Sequence, residues 1–353
     1  MNKLIKRYRK KINEELENFL NYQVKSIDEP FTKYCYELIK DYILHKGKRL
    51  RPIALILSYN ALGGQDEKKI FLPAAAIELF HNYFLILDDV MDEDDFRRNK
   101  PTIYKKLKQN YLENFSEETY NGTLFNKKSS RFAVSFAIML GNLTSILAKK
   151  AILLSGFSRE TKYDAINMIE EVDKLIYHGQ MFDILMEYKD KTNIEQYMNM
   201  VRLKTGVLLG MCFELGALFA NADDNKRHLL KEFGINLGLS YQIQDDILDL
   251  TKEKGHVQGS DIKKRKKTLL MIKTLEKATQ DQKKVLNNIK EDASEPEIKK
   301  VIEIMHDTNS VKYCKRLARE KRDYAKELLK KLNISEHYKQ IFMEFSDFML
   351  KAI

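Results

Sequence analysis

Apolar residues recur three and four positions apart along almost the whole 353-residue chain, and no stretch alternates apolar and polar residues like a strand. Sparse turn signals, such as LGGQD at 62–66, RRNKP at 97–101 and SGFS at 155–158, separate these stretches. The pattern predicts an all-α fold with about ten or more helices. No Gly-rich or Pro-rich linker divides the chain, so we expect 1–353 to form a single large helical bundle.

Two stretches are apolar on most sides, and one is unusually polar. Gly206–Ala222 predicts a helix surrounded by other helices. Phe132–Ala148 is the most membrane-like stretch, but it falls short of the ~20 residues of a span and contains Ser135 and Asn142. We therefore expect a buried core helix there and no transmembrane span. The polar stretch at about 110–130 predicts a surface insertion between two core helices.

Composition narrows the class of protein. The chain is 44% hydrophobic and 32% charged, which is enough to bury a sizeable core, and its net charge of +10 favours anionic partners. Such partners are nucleic acid, acidic lipid or phosphorylated small molecules. The three cysteines, Cys35, Cys212 and Cys314, are far apart and odd in number. They predict reduced thiols in a cytoplasmic protein rather than a disulfide framework or a zinc site.

A cluster of carboxylates ends one apolar stretch. Asp88 and Asp92 are four residues apart and share a helix face, with Asp89 beside them. Like charges at this spacing cost a helix about 0.2–0.5 kcal/mol per pair. Pro101 predicts that the helix ends soon afterwards, so the helix dipole adds a further penalty. Taken alone, the cluster could be a solvated acidic patch.

The same DDxxD spacing recurs at Asp245, Asp246 and Asp249, again after an apolar helical run. Solvation does not readily explain two equally spaced triads at the ends of apolar helices. Six carboxylates provide the hard oxygen ligands that Mg²⁺ prefers, and Mg²⁺ often completes its coordination with substrate phosphate. The pair of triads therefore predicts a magnesium site and a phosphorylated ligand between them.

Basic residues accompany the first triad. The segment GKRLRP at 47–52 holds three cations within one turn, and Arg97 and Arg98 follow the triad directly. These could be a solvated loop and ordinary charges at the C-terminal end of a helix. Alternatively, they form a second, metal-free site in which arginine forks and a lysine bind a diphosphate.

Six motifs, in this order, resemble those of the trans-isoprenyl diphosphate synthases: GKRLRP, HNYFLILDDVMDEDDFRRNKP, GQMFD, KTG, YQIQDDILD and GSDIKKRKKT. A single DDxxD is weak because terpene cyclases also carry one, but the GKRLRP loop and the Arg-Arg pair resemble the chain-elongating enzymes. The resemblance implies a helical bundle around a central substrate cavity. It also implies a homodimer that condenses isopentenyl diphosphate with allylic diphosphates.

The resemblance gives each matching residue a role. Six aspartates would hold about three magnesium ions on the allylic diphosphate: Asp88, Asp89, Asp92, Asp245, Asp246 and Asp249. Basic residues that would contact the same diphosphate are Arg97, Lys204 and Lys266. Residues that match the isopentenyl diphosphate site are Gly47, Lys48, Arg51, His81 and Arg98. Groups that would stabilise the allylic cation are Thr205, Gln242 and the Lys204 carbonyl, and GQMFD places Gln180 and Asp183 along the cavity.

Three positions depart from the family pattern. His256 follows Gly255 where the family usually has lysine, so one cation on the allylic diphosphate would be weaker or pH-dependent. Arg265 replaces a common glycine, and Asn99 replaces the usual glycine after Arg-Arg. Asparagine tolerates a left-handed backbone, so the change at Asn99 is mild. None of these departures removes an expected metal ligand.

Tyr83 and Phe84 bear on the length of the product. Phe84 lies four residues before Asp88, about 6 Å deeper along the same helix face. In the family, an aromatic pair here usually accompanies the fifteen-carbon product farnesyl diphosphate, and a single aromatic at the position of Tyr83 often accompanies the twenty-carbon geranylgeranyl product. The sequence favours farnesyl, with geranylgeranyl as the alternative. Both rings could also simply pack against neighbouring helices.

Three other functions fit parts of the sequence. A non-catalytic partner subunit of the same fold would be expected to lose a triad, and both triads are intact. A terpene cyclase has no need for GKRLRP and Arg-Arg, which serve a second diphosphate. A nucleic-acid binder fits the net charge of +10 and KKRKK at 263–267, but no basic stripe interleaved with aromatic residues accompanies them. We therefore expect no specific nucleic-acid partner.

Overall fold

The computed structural model describes four stretches of the chain: 1–189, 191–251, 258–290 and 292–351. These residues are overwhelmingly helical, which confirms the all-α prediction. Within the described stretches, the only ladder of paired strands joins β1 (Phe96–Arg97) to β2 (Lys100–Pro101), antiparallel and two residues long. The predicted departure at Gly255 and His256 lies outside the described residues.

The helices, in chain order, are α1 (Asn2–Lys25), α2 (Pro30–Leu44), α3 (Leu50–Ala61), α4 (Phe71–Met91), α5 (Ile103–Asn114), α6 (Lys128–Leu154), α7 (Arg159–Glu187), α8 (Ile194–Val201), α9 (Val207–Phe219), α10 (Asp224–Leu248), α11 (Ser260–Lys263), α12 (Leu269–Lys277), α13 (Gln280–Asn287), α14 (Glu295–Asp307), α15 (Ser310–Lys331) and α16 (Glu336–Lys351). A π-helix, Arg202–Gly206, lies between α8 and α9.

Backbone contacts group the chain into two compact units. The N-terminal unit comprises Asn2–Ile56 and Gln65–Ile166, and the C-terminal unit comprises Met1, Leu57–Gly64 and Asn167–Ile353. The first DDxxD triad belongs to the N-terminal unit and the second to the C-terminal unit. A single domain over the whole chain stays a prediction.

In the N-terminal unit, α4 packs along α6 and α1. One side of α6 is buried, whereas Ile138, Met139, Ile146 and Leu153 project from an exposed side. The prediction of a buried core helix is therefore correct for one side of α6 only. By length and composition alone α6 could cross a membrane, and 44% of its apolar window is buried within the protein.

In the C-terminal unit, α10 packs between α9 and α15. All residues of α9 except Glu214 are buried, which confirms the prediction of a helix surrounded by others. Glycines bring α9 and α10 together: a Cβ atom on Gly234 would lie 2.7 Å from the Cα atom of Gly210. The three cysteines of the chain are buried free thiols, as predicted.

The predicted insertion lies on the surface but is shorter than the polar stretch at 110–130. Helix α5 continues to Asn114 and α6 begins at Lys128, so 115–127 form the connection. A bridge between Thr119 and Lys127 closes this loop, and the Glu117 carboxylate accepts a hydrogen bond of 2.6 Å from the hydroxyl of Ser129.

Candidate active site

The first acidic cluster occupies the C-terminal end of α4, as predicted from Pro101. Asp88 and Asp89 lie in the last turn, and Asp92 is the residue that caps the helix. Only 1% of Asp89 is exposed, and both its carboxylate oxygens accept hydrogen bonds. Tyr42 donates to Oδ2 over 2.7 Å and the Arg97 Nε donates to Oδ1 over 2.5 Å. The middle residue of the triad is therefore fixed by side chains from two directions.

Arg97 supplies the countercharge of this first cluster. Burial raises the pKa of Asp89 to about 6, although Arg97 and the Tyr42 hydroxyl act in the opposite direction. Burial also disfavours the guanidinium, but Asp89, Tyr42 and Asp88 together outweigh it, so the pKa of Arg97 is raised. The side chain of Arg97 further approaches Asp88 and Asp94, at 3.9 and 4.0 Å. The first cluster thus carries its own cation.

The Arg97–Arg98 pair lies on the small hairpin that follows α4. Arg98 and Asn99 form its turn, with φ angles of 54° and 65°. Asn99 therefore adopts the left-handed backbone expected of it. The Arg98 guanidinium donates to the His45 carbonyl over 3.2 Å, while Arg97 and Arg98 both line a pocket of about 380 Å³ beside Tyr42.

The basic side chains of the GKRLRP loop do not all point in the same direction, which the sequence did not predict. Arg49 points inward with no exposed side-chain surface and has a φ of 55°. Its guanidinium donates to Asn13, to the Ile43 carbonyl and, over 2.5 Å, to the Glu78 carboxylate. A Cβ atom on Gly47 would lie 2.3 Å from this fixed guanidinium. Arg49 therefore fastens the loop to α1, α2 and α4, and glycine at 47 leaves it room.

Two further residues of the predicted isopentenyl diphosphate site, Arg51 and His81, lie in contact. The Arg51 guanidinium is 3.2 Å from the Nε2 atom of His81. Burial, followed by repulsion from Arg51 and Arg98, holds the pKa of His81 well below its usual range. The imidazole is therefore neutral, and its nitrogen can accept a hydrogen bond from Arg51.

The second acidic cluster repeats the local arrangement of the first. Helix α10 ends at Leu248, so Asp245 and Asp246 lie in its last turn and Asp249 caps it. Again both oxygens of the buried middle residue accept hydrogen bonds. Tyr197 donates to Oδ2 of Asp246 over 2.5 Å and the Gln242 amide donates to Oδ1 over 3.1 Å. Neither of these two donors carries a charge.

Asp261 adds a fourth carboxylate to the second cluster. Its backbone amide donates to Asp249 over 3.1 Å, and with Asp246 and Lys266 it lines a pocket of about 220 Å³. Burial, then repulsion from Asp261, raises the pKa of Asp246 to about 8 and that of Asp249 to about 7. The sequence reading missed Asp261, although the GSD of its last motif could have indicated it.

The π-helix carries Lys204 and Thr205. The Lys204 ammonium pairs with Asp183 over 2.6 Å, and the Thr205 hydroxyl donates to Gln242 over 3.1 Å. A Cβ atom on Gly179 would lie 2.5 Å from the Lys204 backbone nitrogen, so α7 approaches the π-helix backbone closely. The structure therefore brings together Thr205 and Gln242, two of the predicted cation-stabilising groups, and π-helical turns are common at functional sites.

The donors of each cluster suit magnesium, although the clusters are not arranged as complete ligand sets. Among the residues that the structure describes, no three or more His, Cys, Asp or Glu side chains are already gathered around a metal position. The donors are nonetheless carboxylate oxygens, the ligands that Mg²⁺ prefers. A cation beside the buried carboxylates would favour their ionised forms. The residues therefore fit the ion, and their role as ligands stays a prediction.

Tyr83 and Phe84 form an aromatic cluster on α4. Their ring centroids are 4.1 Å apart, and Phe80 lies 5.7 Å from Tyr83 and 5.2 Å from Phe84. Tyr83 is buried, with 1% of its surface exposed, whereas Phe84 is only partly buried. Phe84 is thus the more accessible ring of the pair.

Comparisons with known proteins identify the family of the chain. A family model for polyprenyl synthetase matches residues 32–305. The geranylgeranyl diphosphate synthase of Saccharolobus solfataricus is 32% identical over 91% of both chains, and the geranylfarnesyl diphosphate synthase of Aeropyrum pernix is 30% identical over 87% of this chain and 91% of that one. The solved geranylgeranyl pyrophosphate synthetase from Geoglobus acetivorans is 30% identical over 99% of both chains, with a TM-score of 0.81. The chain belongs to the polyprenyl synthetase family, the trans-isoprenyl diphosphate synthases, and is a short-chain prenyltransferase.

Proposed function

We propose that the protein catalyses the magnesium-dependent condensation of isopentenyl diphosphate with an allylic diphosphate. The observation that carries this proposal is the pair of DDxxD clusters, each at the C-terminal end of a helix with its middle aspartate held at both oxygens. The six aspartates would hold magnesium ions, about three by family resemblance, and such ions act as Lewis acids that disperse charge on a departing diphosphate.

The basic residues divide between the two diphosphates in this proposal. Arg97, Lys204 and Lys266 bind the allylic diphosphate, and their charges stabilise it as it leaves. The isopentenyl diphosphate site is formed by Gly47, Lys48, Arg51, His81 and Arg98. Because His81 is neutral, it can accept from Arg51 and fix the direction of that guanidinium.

Thr205, Gln242 and the Lys204 carbonyl stabilise the allylic cation left by ionisation. Their oxygen dipoles lower its energy without providing a nucleophile that would trap it. The double bond of isopentenyl diphosphate then attacks the cation. The condensed product cation then loses a proton to the released diphosphate. No step of this reaction requires a covalent intermediate on the protein.

We propose geranylgeranyl diphosphate as the product. Relatives named for geranylgeranyl or geranylfarnesyl diphosphate support this choice and do not support farnesyl, which Tyr83 and Phe84 favoured. Tyr83 packs against Phe80 and is buried, so only Phe84 is accessible enough to limit the growing chain.

The test is to incubate purified protein with magnesium, isopentenyl diphosphate and each of the five-, ten- and fifteen-carbon allylic diphosphates. We expect elongation from each primer, ending at the twenty-carbon product. Phe84→Ala should shift the products longer, whereas Tyr22→Ala, on the exposed surface of α1, should leave them unchanged. No magnesium-dependent elongation from any primer would overturn the proposed function, and a product that stops at fifteen carbons would restore the farnesyl alternative.

We also propose that the protein is a homodimer and acts in the cytoplasm. The exposed apolar side of α6, with Ile138, Met139, Ile146 and Leu153, supports a surface for a second copy. The free buried cysteines are typical of a reducing compartment. Light scattering should give twice the mass of one chain, and Ile146→Asp should lower it towards one. A monomeric wild-type protein would contradict the dimer.

A further inference from the structure

Two tyrosines occupy equivalent places in the two acidic clusters. Tyr42 on α2 donates its hydroxyl to Asp89, and Tyr197 on α8 donates its hydroxyl to Asp246, over 2.7 and 2.5 Å. In both clusters the acceptor is the Oδ2 atom of the middle aspartate. The two tyrosines come from unrelated stretches of sequence and from different units. The same contact has therefore been built twice.

The remaining oxygen of each middle aspartate also has a protein donor. Arg97 donates to Asp89 and Gln242 donates to Asp246, over 2.5 and 3.1 Å. A carboxylate held at both oxygens has lost its rotational freedom, so its plane is fixed relative to the helix that carries it. The other two carboxylates of each triad lie within the same turn or at the cap of that helix.

A hydroxyl donor differs from a cation in one respect that matters for a metal site. A tyrosine hydroxyl holds a carboxylate by a hydrogen bond yet leaves its full negative charge available to a divalent ion. Partners that orient the ligands of a metal in this way typically change its affinity by about 10–100-fold.

We infer that Tyr42 and Tyr197 are matched positioning residues that set the magnesium affinity of the two DDxxD clusters. This inference rests on the proposed function, because it assumes that the clusters bind magnesium. Neither tyrosine needs to contact substrate, since each hydroxyl is directed at an aspartate. The two do not contribute equally. Asp89 keeps the cation Arg97 when Tyr42 is altered, whereas the donor that Asp246 keeps among the described residues, Gln242, is neutral.

The test removes each hydroxyl alone, with Tyr42→Phe and Tyr197→Phe. Thermal unfolding is followed while magnesium is titrated at a fixed concentration of inorganic diphosphate, which gives a magnesium midpoint without turnover. We expect the midpoint to rise about 10–100-fold for Tyr197→Phe and by a smaller factor for Tyr42→Phe. At saturating magnesium, KM for both diphosphate substrates should stay within about twofold of the wild-type values, since the hydroxyls bind no substrate.

Two other tyrosines provide matched controls. Tyr8 donates to Glu67 over 3.0 Å and Tyr104 donates to Asp95 over 2.7 Å, so each forms the same kind of bond outside the DDxxD triads. Tyr8→Phe and Tyr104→Phe should leave the magnesium midpoint unchanged, whatever they do to the unfolding temperature without metal.

The outcomes separate the inference from the proposed function. If Tyr42→Phe and Tyr197→Phe both keep the magnesium midpoint of the wild type, the inference is overturned and the proposed function is not. Equal midpoint shifts in the control variants also overturn it, because the effect would then be general destabilisation. A wild-type protein that shows neither a magnesium effect nor magnesium-dependent elongation overturns the proposed function and the inference with it.

Discussion

The two acidic clusters have the same sequence spacing, the same place at the end of a helix and the same tyrosine contact, yet their charges are balanced differently. In the first cluster, Arg97 pairs with Asp89 and approaches Asp88. In the second, Tyr197 and Gln242 hold Asp246 without charge, and Asp261 adds a further carboxylate. One motif therefore occurs in two electrostatic settings.

The pKa values follow this difference. Burial raises the pKa of Asp89 to only about 6, because Arg97 opposes the effect. For Asp246, burial and repulsion from the nearby Asp261 raise the pKa to about 8. Arg97 thus partly neutralises the first cluster, whereas in the second an added cation would favour the ionised form of Asp246. Identical motifs do not imply identical demands on the metal.

The largest expected effect tests whether both clusters serve the same reaction. Asp88→Ala and Asp245→Ala should each lower kcat by about 10³-fold, because loss of a metal ligand removes several kcal/mol of transition-state stabilisation. The measurement is the initial rate with isopentenyl diphosphate and the ten-carbon allylic diphosphate. Glu93→Gln, an exposed acid beside the first triad, should keep wild-type activity. A tenfold or smaller loss at one aspartate would show that the two clusters are not equivalent in catalysis.

Removing the countercharge should make the first cluster resemble the second. Without magnesium, Arg97→Gln should lower the free energy of unfolding by about 3 kcal/mol, because a buried carboxylate loses its charged partner. Adding magnesium should recover more stability in this variant than in the wild type. Urea denaturation with and without metal measures both effects. The double variant Arg97→Gln/Asp89→Asn should regain most of the loss, and a double variant as unstable as the single one would contradict this explanation.

In the second cluster, the opposite test removes a negative charge, that of Asp261, instead of a positive one. Burial and the neighbouring Asp245 raise the pKa of Asp261, so its charged form is disfavoured in the folded protein. Asp261→Asn should therefore raise the free energy of unfolding without metal. It should also weaken magnesium binding, because a negative charge is removed from the site. Urea denaturation and a magnesium titration test the two parts separately, and a loss of stability without metal would show that attraction from Lys266 outweighs the repulsion.

The sequence predicted only some of the features that the two clusters share or that distinguish them. Helical periodicity correctly placed both triads at helix ends, and Pro101 indicated where the first of these helices ends, because these signals are local. The sequence could not indicate that Arg49 points inward, since its partners Asn13 and Glu78 are 36 and 29 residues away. For the same reason it missed Tyr42 and Tyr197, whose contacts span 47 and 49 residues.

The smallest expected effect concerns His81, whose pKa is lowered by burial and by the cations around the first cluster. Its pKa in the folded state is depressed by burial and by Arg51, Arg98 and Arg97, so the folded protein favours the neutral imidazole. Above about pH 6.5, the pKa of histidine in the unfolded chain, His81 does not reduce the free energy of unfolding. As pH falls from there towards the lower pKa of His81 in the folded state, the free energy of unfolding decreases. Between about pH 6.5 and about pH 6.0, the free energy of unfolding should fall by about 0.4 kcal/mol through this group alone.

His81→Gln should remove this component of the pH dependence, whereas His306→Gln, at an exposed position, should retain it. Urea denaturation at closely spaced pH values gives the free energies that decide between them. A wild-type protein whose stability rises as pH falls through this range would require another group to dominate, and His81→Gln should then leave that rise in place or steepen it. If His81→Gln instead abolishes the rise, His81 is charged in the folded state, and burial and the neighbouring arginines do not lower its pKa.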